Sequence, residues 1–107
     1  KMTFVNGEKD GKQEEYYPNG NKKLDSEFKA GKESGKWTVF FENGKVSTAF
    51  SYLNGQLNGS IIINDEKGVK VVEGNYVNGK EDGKWVFYDN TGKMKKEEVY
   101  NMGQIKK

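Results

Sequence analysis

Thirteen of the 14 glycines in this 107-residue chain lie on a single 24-residue grid. Gly7, Gly31, Gly55, Gly79 and Gly103 form one column, Gly11, Gly35, Gly59 and Gly83 a second, and Gly20, Gly44, Gly68 and Gly92 a third; Gly74 alone is off the grid. A period kept without insertion or deletion means one supersecondary unit stacked repeatedly on itself. Side chains follow it too: Phe4, Phe28, Tyr52, Tyr76 and Tyr100; Gln13, Trp37, Ile61 and Trp85; Tyr16, Phe40, Asn64 and Tyr88. The units run approximately over 4–27, 28–51, 52–75 and 76–99, with a partial unit at 100–107. The whole of 1–107 reads as one domain.

Each unit reads as a β-hairpin. Its first strand, as in Lys36–Phe41 and Lys84–Asp89, is rich in aromatic and β-branched residues. Pro18-Asn19-Gly20, Glu42-Asn43-Gly44, Glu66-Lys67-Gly68 and Asn90-Thr91-Gly92 follow. Pro18 suits the first central position of a type I turn and the glycine suits the left-handed residue after it, which makes a three-residue loop closed by a G1 bulge. The second strand, Lys45–Tyr52 or Val69–Tyr76, alternates: Val46, Thr48, Phe50 and Tyr52 take one face, Lys45, Ser47, Ala49 and Ser51 the other. Linkers such as Asn54–Gly59 hold two glycines, both expected at positive φ. Short connections make successive strands antiparallel neighbours. The predicted fold is therefore all-β, a single-layer antiparallel meander of stacked hairpins, elongated and twisted, with open edges. About eight or nine strands at ~4.8 Å spacing give a sheet roughly 40 Å long. Gly74 stands where the preceding unit has Phe50, and predicts a bulge or a close side-chain approach.

Composition narrows the chemistry. The chain has no Cys, no His and no Arg, so disulfides, Cys/His zinc sites, imidazole or thiolate catalysis and guanidinium forks are excluded. Mean hydropathy of −0.99 and 32% charged residues lean toward disorder, but 13% aromatics argue against it. Net charge is +2, and each half of the chain carries nine Lys against eight Asp and Glu, which gives no basic face for specific nucleic-acid binding. No apolar run reaches membrane-spanning length and no signal peptide is visible. The opening Lys1-Met2 suggests a trimmed start, so a missing signal says little about compartment.

The segment Gly35-Lys36-Trp37-Thr38-Val39-Phe40-Phe41-Glu42-Asn43-Gly44-Lys45, continued by Tyr52-Leu53-Asn54-Gly55, resembles the bacterial variant of the MORN repeat, as do Gly83-Lys84-Trp85-Val86-Phe87-Tyr88 and Tyr100. The resemblance covers essentially the whole chain; the unit from Gly59 departs most, with Ser60-Ile61-Ile62-Ile63-Asn64-Asp65 keeping the strand and losing the aromatics. It implies a bacterial interaction module, in the cytoplasm or cell envelope, similar in some members to the antitoxin of a toxin–antitoxin pair. MORN repeats also flank some plant phosphatidylinositol-phosphate kinases, so a lipid-kinase label could be inherited, yet 107 residues filled with repeats leave no room for a kinase domain. The stretch from Asp82 to Met94 is also similar to one repeat of choline- or glucan-binding cell-wall modules.

Gly31–Thr38 imitates a phosphate loop but is one residue short, has Trp37 where Ser or Thr belongs, and leads into a strand. The acidic pairs Glu14-Glu15, Asp65-Glu66 and Glu97-Glu98 should diverge to opposite faces and make no catalytic or metal site. Lys22-Lys23 and Lys95-Lys96 read as solvated, the latter guarding an edge. The gridded glycines with Phe28, Tyr52, Tyr76 and Tyr100 are assigned to structure, and Trp37, Trp85, Phe40 and Tyr88 to an aromatic binding surface. The expectation is a non-catalytic chain without cofactor or metal whose partner is another protein, with cell-wall glycan or choline as the alternative, a lipid headgroup more remote, and edge-to-edge self-association open to it.

Overall fold

The computed structural model describes residues 3–5 and 7–106. Its strands are β1 (Thr3–Val5), β2 (Glu8–Tyr16), β3 (Lys22–Lys29), β4 (Lys32–Glu33), β5 (Gly35–Phe40), β6 (Val46–Leu53) and β7 (Gln56–Leu57). They continue as β8 (Gly59–Asn64), β9 (Lys70–Val77), β10 (Lys80–Glu81), β11 (Gly83–Tyr88), β12 (Met94–Asn101) and β13 (Gln104–Lys106). All belong to one antiparallel sheet ordered β1-β2-β3-β5-β6-β8-β9-β11-β12-β13. The two-residue strands β4, β7 and β10 fold back on β3, β6 and β9. The sheet measures 47 × 34 × 12 Å, and its 15.6 Å radius of gyration exceeds the ~13 Å of a compact chain of this length. This is the single-layer meander the period predicts, with 13 strands in place of eight or nine.

The extra strands arise because each linker is itself a hairpin. Ala30-Gly31, Asn54-Gly55, Asn78-Gly79 and Met102-Gly103 all have positive φ, the two central residues of a type I′ turn. These turns tie the units together: the N–H of Gly31, Gly55, Gly79 and Gly103 donates to the carbonyls of Lys9, Glu33, Leu57 and Glu81, at 2.7 to 3.0 Å.

The longer hairpins close as the sequence predicts. Gly44 N–H donates to the Phe41 carbonyl at 2.9 Å and Phe41 N–H to the Lys45 carbonyl at 2.8 Å; Gly20, Gly68 and Gly92 repeat the arrangement, and Pro18 takes the first central position of its turn. One feature of these strands differs from the sequence reading. Val39 pairs with Thr48 but Phe40 pairs with Val46, so Ser47 is an extra, bulged residue. Val46 therefore leaves the face of Thr48, Phe50 and Tyr52 and stands opposite Phe40. The slip recurs between Glu15 and Tyr16, Ile63 and Asn64, and Phe87 and Tyr88.

The register lines up equivalent positions across the sheet. Gln13 pairs with Ser26, Trp37 with Phe50, Ile61 with Gly74 and Trp85 with Glu98. The contacts Asp25–Thr38, Ala49–Ile62 and Glu73–Val86 join these pairs into one continuous row. That row holds the only buried side chains among the described residues, Ser26, Ile61 and Trp85. Beside it run Glu15, Leu24, Val39, Thr48, Ile63, Val72, Phe87 and Lys96, on the same face. At Gly74 the pairing runs unbroken and φ is not positive, so there is no bulge. It is instead a close approach: a Cβ there would overlap the six-membered ring of Trp85.

Candidate functional site

Each tryptophan sits between two rings of the neighbouring column. Trp37 meets Phe28 edge-on at 5.4 Å and Tyr52 at 5.1 Å, and Trp85 meets Tyr76 at 5.2 Å and Tyr100 at 6.0 Å. These separations and tilts are the favoured T-shaped geometry of aromatic pairs. Each indole also reaches back over the preceding hairpin. Trp37 Nε1 donates to the Glu27 carbonyl at 3.1 Å and Trp85 Nε1 to the Asn75 carbonyl at 3.2 Å. The rings of Phe28, Tyr52, Tyr76 and Tyr100 stand opposite Gly11, Gly35, Gly59 and Gly83, whose missing side chains leave them room. Burial pushes the Tyr52 and Tyr76 hydroxyls up from their ordinary acidity.

Strand alternation separates the four residues assigned to one aromatic surface. Trp37 and Phe40 are three apart in β5, as are Trp85 and Tyr88 in β11, so the tryptophans lie on one face and Phe40 and Tyr88 on the other. Trp85 is 7% exposed, while Trp37 keeps a partly open edge. Tyr88 belongs to a polar cluster: its hydroxyl donates to Glu73 Oε1, and Lys70 lies 3.4 Å from the same carboxylate. The Tyr88 bond lowers Glu73 below the usual carboxylate range and raises Tyr88. A matching cluster at the other end joins the Tyr16 hydroxyl to Glu14 at 2.9 Å, with Lys22 3.1 Å from Glu14 and 3.2 Å from Asp25. Glu97 and Glu98 diverge as expected, Glu97 toward Lys84 and Glu98 toward Lys96 and the Tyr100 hydroxyl. Asp65-Glu66 instead lies in a hairpin loop, where Asp65 Oδ1 accepts from the N–H groups of Lys67 and Val69.

A groove of about 430 Å³ opens on this second, polar face across the first two units, lined chiefly by Lys12, Glu14, Asp25, Glu27, Lys36 and Thr38. Its charges are mixed, with Glu14 and Asp25 both ion-paired to Lys22, which suits a polar or zwitterionic surface. Among the described residues no three side chains of metal-ligating type converge. Sequence reasoning missed the groove, because its residues come from three strands of two hairpins. It also missed Ser26, although the column Ser26, Phe50, Gly74 and Glu98 shares the 24-residue period and faces the Trp column.

Thin, one-layered and built of stacked hairpins, the molecule is a β-hairpin repeat protein. It belongs to the MORN repeat variant family, whose pattern matches residues 9–30, 33–54 and 81–102. Each match spans one long hairpin and ends in a type I′ turn. The gap between the second and third matches contains the Ile61 hairpin, where the aromatics are lost. MORN repeats are commonly binding modules, and the family is generally non-catalytic. No curated protein matches the chain.

Proposed function

We propose that the chain is a non-catalytic module that binds another protein through its polar face, as a scaffold or as the antitoxin-like partner of a bacterial protein. The observation that supports this most directly is the groove of Lys12, Glu14, Asp25, Glu27, Lys36 and Thr38, an open, mixed-charge strip on a stiff sheet. Regularly spaced charges of both signs select a partner by complementarity more than by hydrophobic burial. The deeply placed Trp85 leaves little ring surface on which a sugar or choline could stack, which disfavours the cell-wall reading. Lipid-headgroup binding is weakly supported by a lysine-only surface at near-balanced charge.

The test is affinity capture from the source cells with the wild-type chain and with Lys12→Glu/Lys36→Glu, beside choline and glucan titrations followed by Trp37 fluorescence. A partner retained by the wild type and lost by the charge-reversed chain supports the reading. Saturable quenching by choline or glucan, with no protein captured in a groove-dependent way, replaces it with the cell-wall function.

A further inference from the structure

The face opposite the groove has an unusual division of charge. In its two main rows, every position on β3, β5, β6, β8, β9 and β11 is uncharged, although 32% of the chain is charged. Within these rows charge returns only on β2, as Glu15, and on β12, as Lys96 and Glu98; beyond them Glu33 and Glu81 stand opposite Phe28 and Tyr76. The row beside the tryptophans reads Glu15, Leu24, Val39, Thr48, Ile63, Val72, Phe87, Lys96. It is self-complementary about its middle. Reversed, it sets Glu15 against Lys96, Leu24 against Phe87, and Val39 against Val72.

The surface area points the same way. The chain exposes 7173 Å², roughly 1,100 Å² more than the ~6,000 Å² of a compact monomer of its mass. Each partner in a standard protein interface buries about 800 Å², so the excess is enough for one. Uncovered, this face has only a one-sided core, and no side chain in the described residues is fully buried.

We propose that the aromatic face is an interface between two copies of this chain, closed about a twofold axis that runs parallel to the strands between β6 and β8. Two sheets packed in this way lie ~10 Å apart as a sandwich. The axis exchanges β2 with β12, so each Glu15 meets the other copy's Lys96, and the uncharged rows meet each other. Glu15 is exposed and in no ion pair among the described residues, and Lys96 is exposed beside Glu98 at 3.5 Å. The groove on the polar face stays open, so both functions can coexist.

Sedimentation velocity of the full chain tests this, with the thermal melt of each variant showing that it folds. The wild type is expected at twice the 12.2 kDa chain mass at tens of micromolar. Val39→Glu places a charge within the uncharged row and is expected to give monomer, while Ala49→Glu, on the polar face and outside the groove, leaves the dimer intact. Glu15→Lys and Lys96→Glu alone are each expected to weaken association about five- to tenfold, and together to restore it, because the swap recreates both ion pairs. A wild-type chain that is monomeric at ~100 µM overturns the proposal. So does a dimer that ignores Val39→Glu and the single charge reversals but is lost on Lys95→Pro, because that dimer forms through the β12 edge.

Discussion

The Trp37 and Trp85 clusters occupy the same positions of the 24-residue unit and pack by different means. Around Trp37 the sheet supplies bulk: Phe28, Phe50 and Tyr52 surround it, with Phe50 6.3 Å away across the hairpin, and the indole stays partly open. Around Trp85 the sheet removes bulk. Glu98 replaces the cross-strand ring, and Gly74 removes the side chain beneath, so the indole lies directly on backbone and is 7% exposed. A one-layer sheet has no second layer to cover a large ring. Deleting a Cβ under the ring buries it more completely than adding rings beside it.

The largest expected effect is in the tryptophans themselves. Trp85→Ala should cost about 3–5 kcal/mol, most of the stability of a small domain, and Trp37→Ala about 2 kcal/mol, read from urea midpoints at constant slope. Equal losses would show the two clusters to be energetically equivalent despite their geometry. Next comes the floor beneath each ring. Gly74→Ala should cost about 1–3 kcal/mol by overpacking, whereas Ser26→Ala should change stability by less than ~1 kcal/mol. In a Trp85→Ile background Gly74→Ala should be nearly neutral, giving a coupling of ~1–2 kcal/mol in a double-mutant cycle; additivity would detach Gly74 from the ring.

A smaller effect distinguishes the turns beside the clusters. Asn78 enters its type I′ turn at φ 50 and Ala30 at the same φ, and asparagine tolerates that conformation better than alanine. Ala30→Asn should therefore raise stability by about 0.5–1 kcal/mol in thermal melts, and Asn78→Ala should lower it by a similar amount.

The smallest effect is in acid. Glu73 is lowered by the Tyr88 hydroxyl, and Glu14 by the Tyr16 hydroxyl and then Lys22. A carboxylate lowered by folding stabilises the protein above its ordinary value of about 4.3, and this contribution is lost as pH falls through the lowered value. Tyr88 is raised, so its contribution is present below about pH 10 and lost as pH climbs through the raised value. Unfolding titrations should show stability declining at both extremes. Tyr88→Phe should flatten both limbs, and an unchanged acid limb would remove the Tyr88–Glu73 bond from the account.

Much of this was legible in the residues because glycine and proline mark turns by covalent geometry. Pro18, Gly20 and Gly44 define the long hairpins, and the single glycine off the grid marks the close approach to Trp85. Other features were obscured for identifiable reasons. Asn54-Gly55 and Asn78-Gly79 are the standard type I′ pair, but the strand returning from each is only two residues long, so the fold-back reads as a plain linker. Ala30-Gly31 lacks even that signal, since alanine is a poor left-handed residue. The bulge at Ser47 moved Val46 to the other face, and a bulged strand has no uninterrupted alternation to follow. The odd spacing of Trp37 and Phe40 already separates their faces, but grouping by residue type hid it. The groove and the Ser26–Trp37 contact needed the register between hairpins, which is set by inter-unit hydrogen bonds and not by any one unit.

The row through Ser26, Trp37, Phe50, Ile61, Gly74 and Trp85 also limits how a chain like this could lengthen. Between hairpins, a small residue meets each tryptophan and Phe50 meets Ile61. Tandem duplication of the Trp37 hairpin alone would set Phe50 against a second Trp37, and duplication of the Ile61 hairpin alone would leave a gap between Gly74 and a second Ile61. Copying both hairpins together sets Gly74 against Trp37 and keeps every junction matched. The sequence repeats every hairpin, but the smallest heritable module that preserves the packing is a pair.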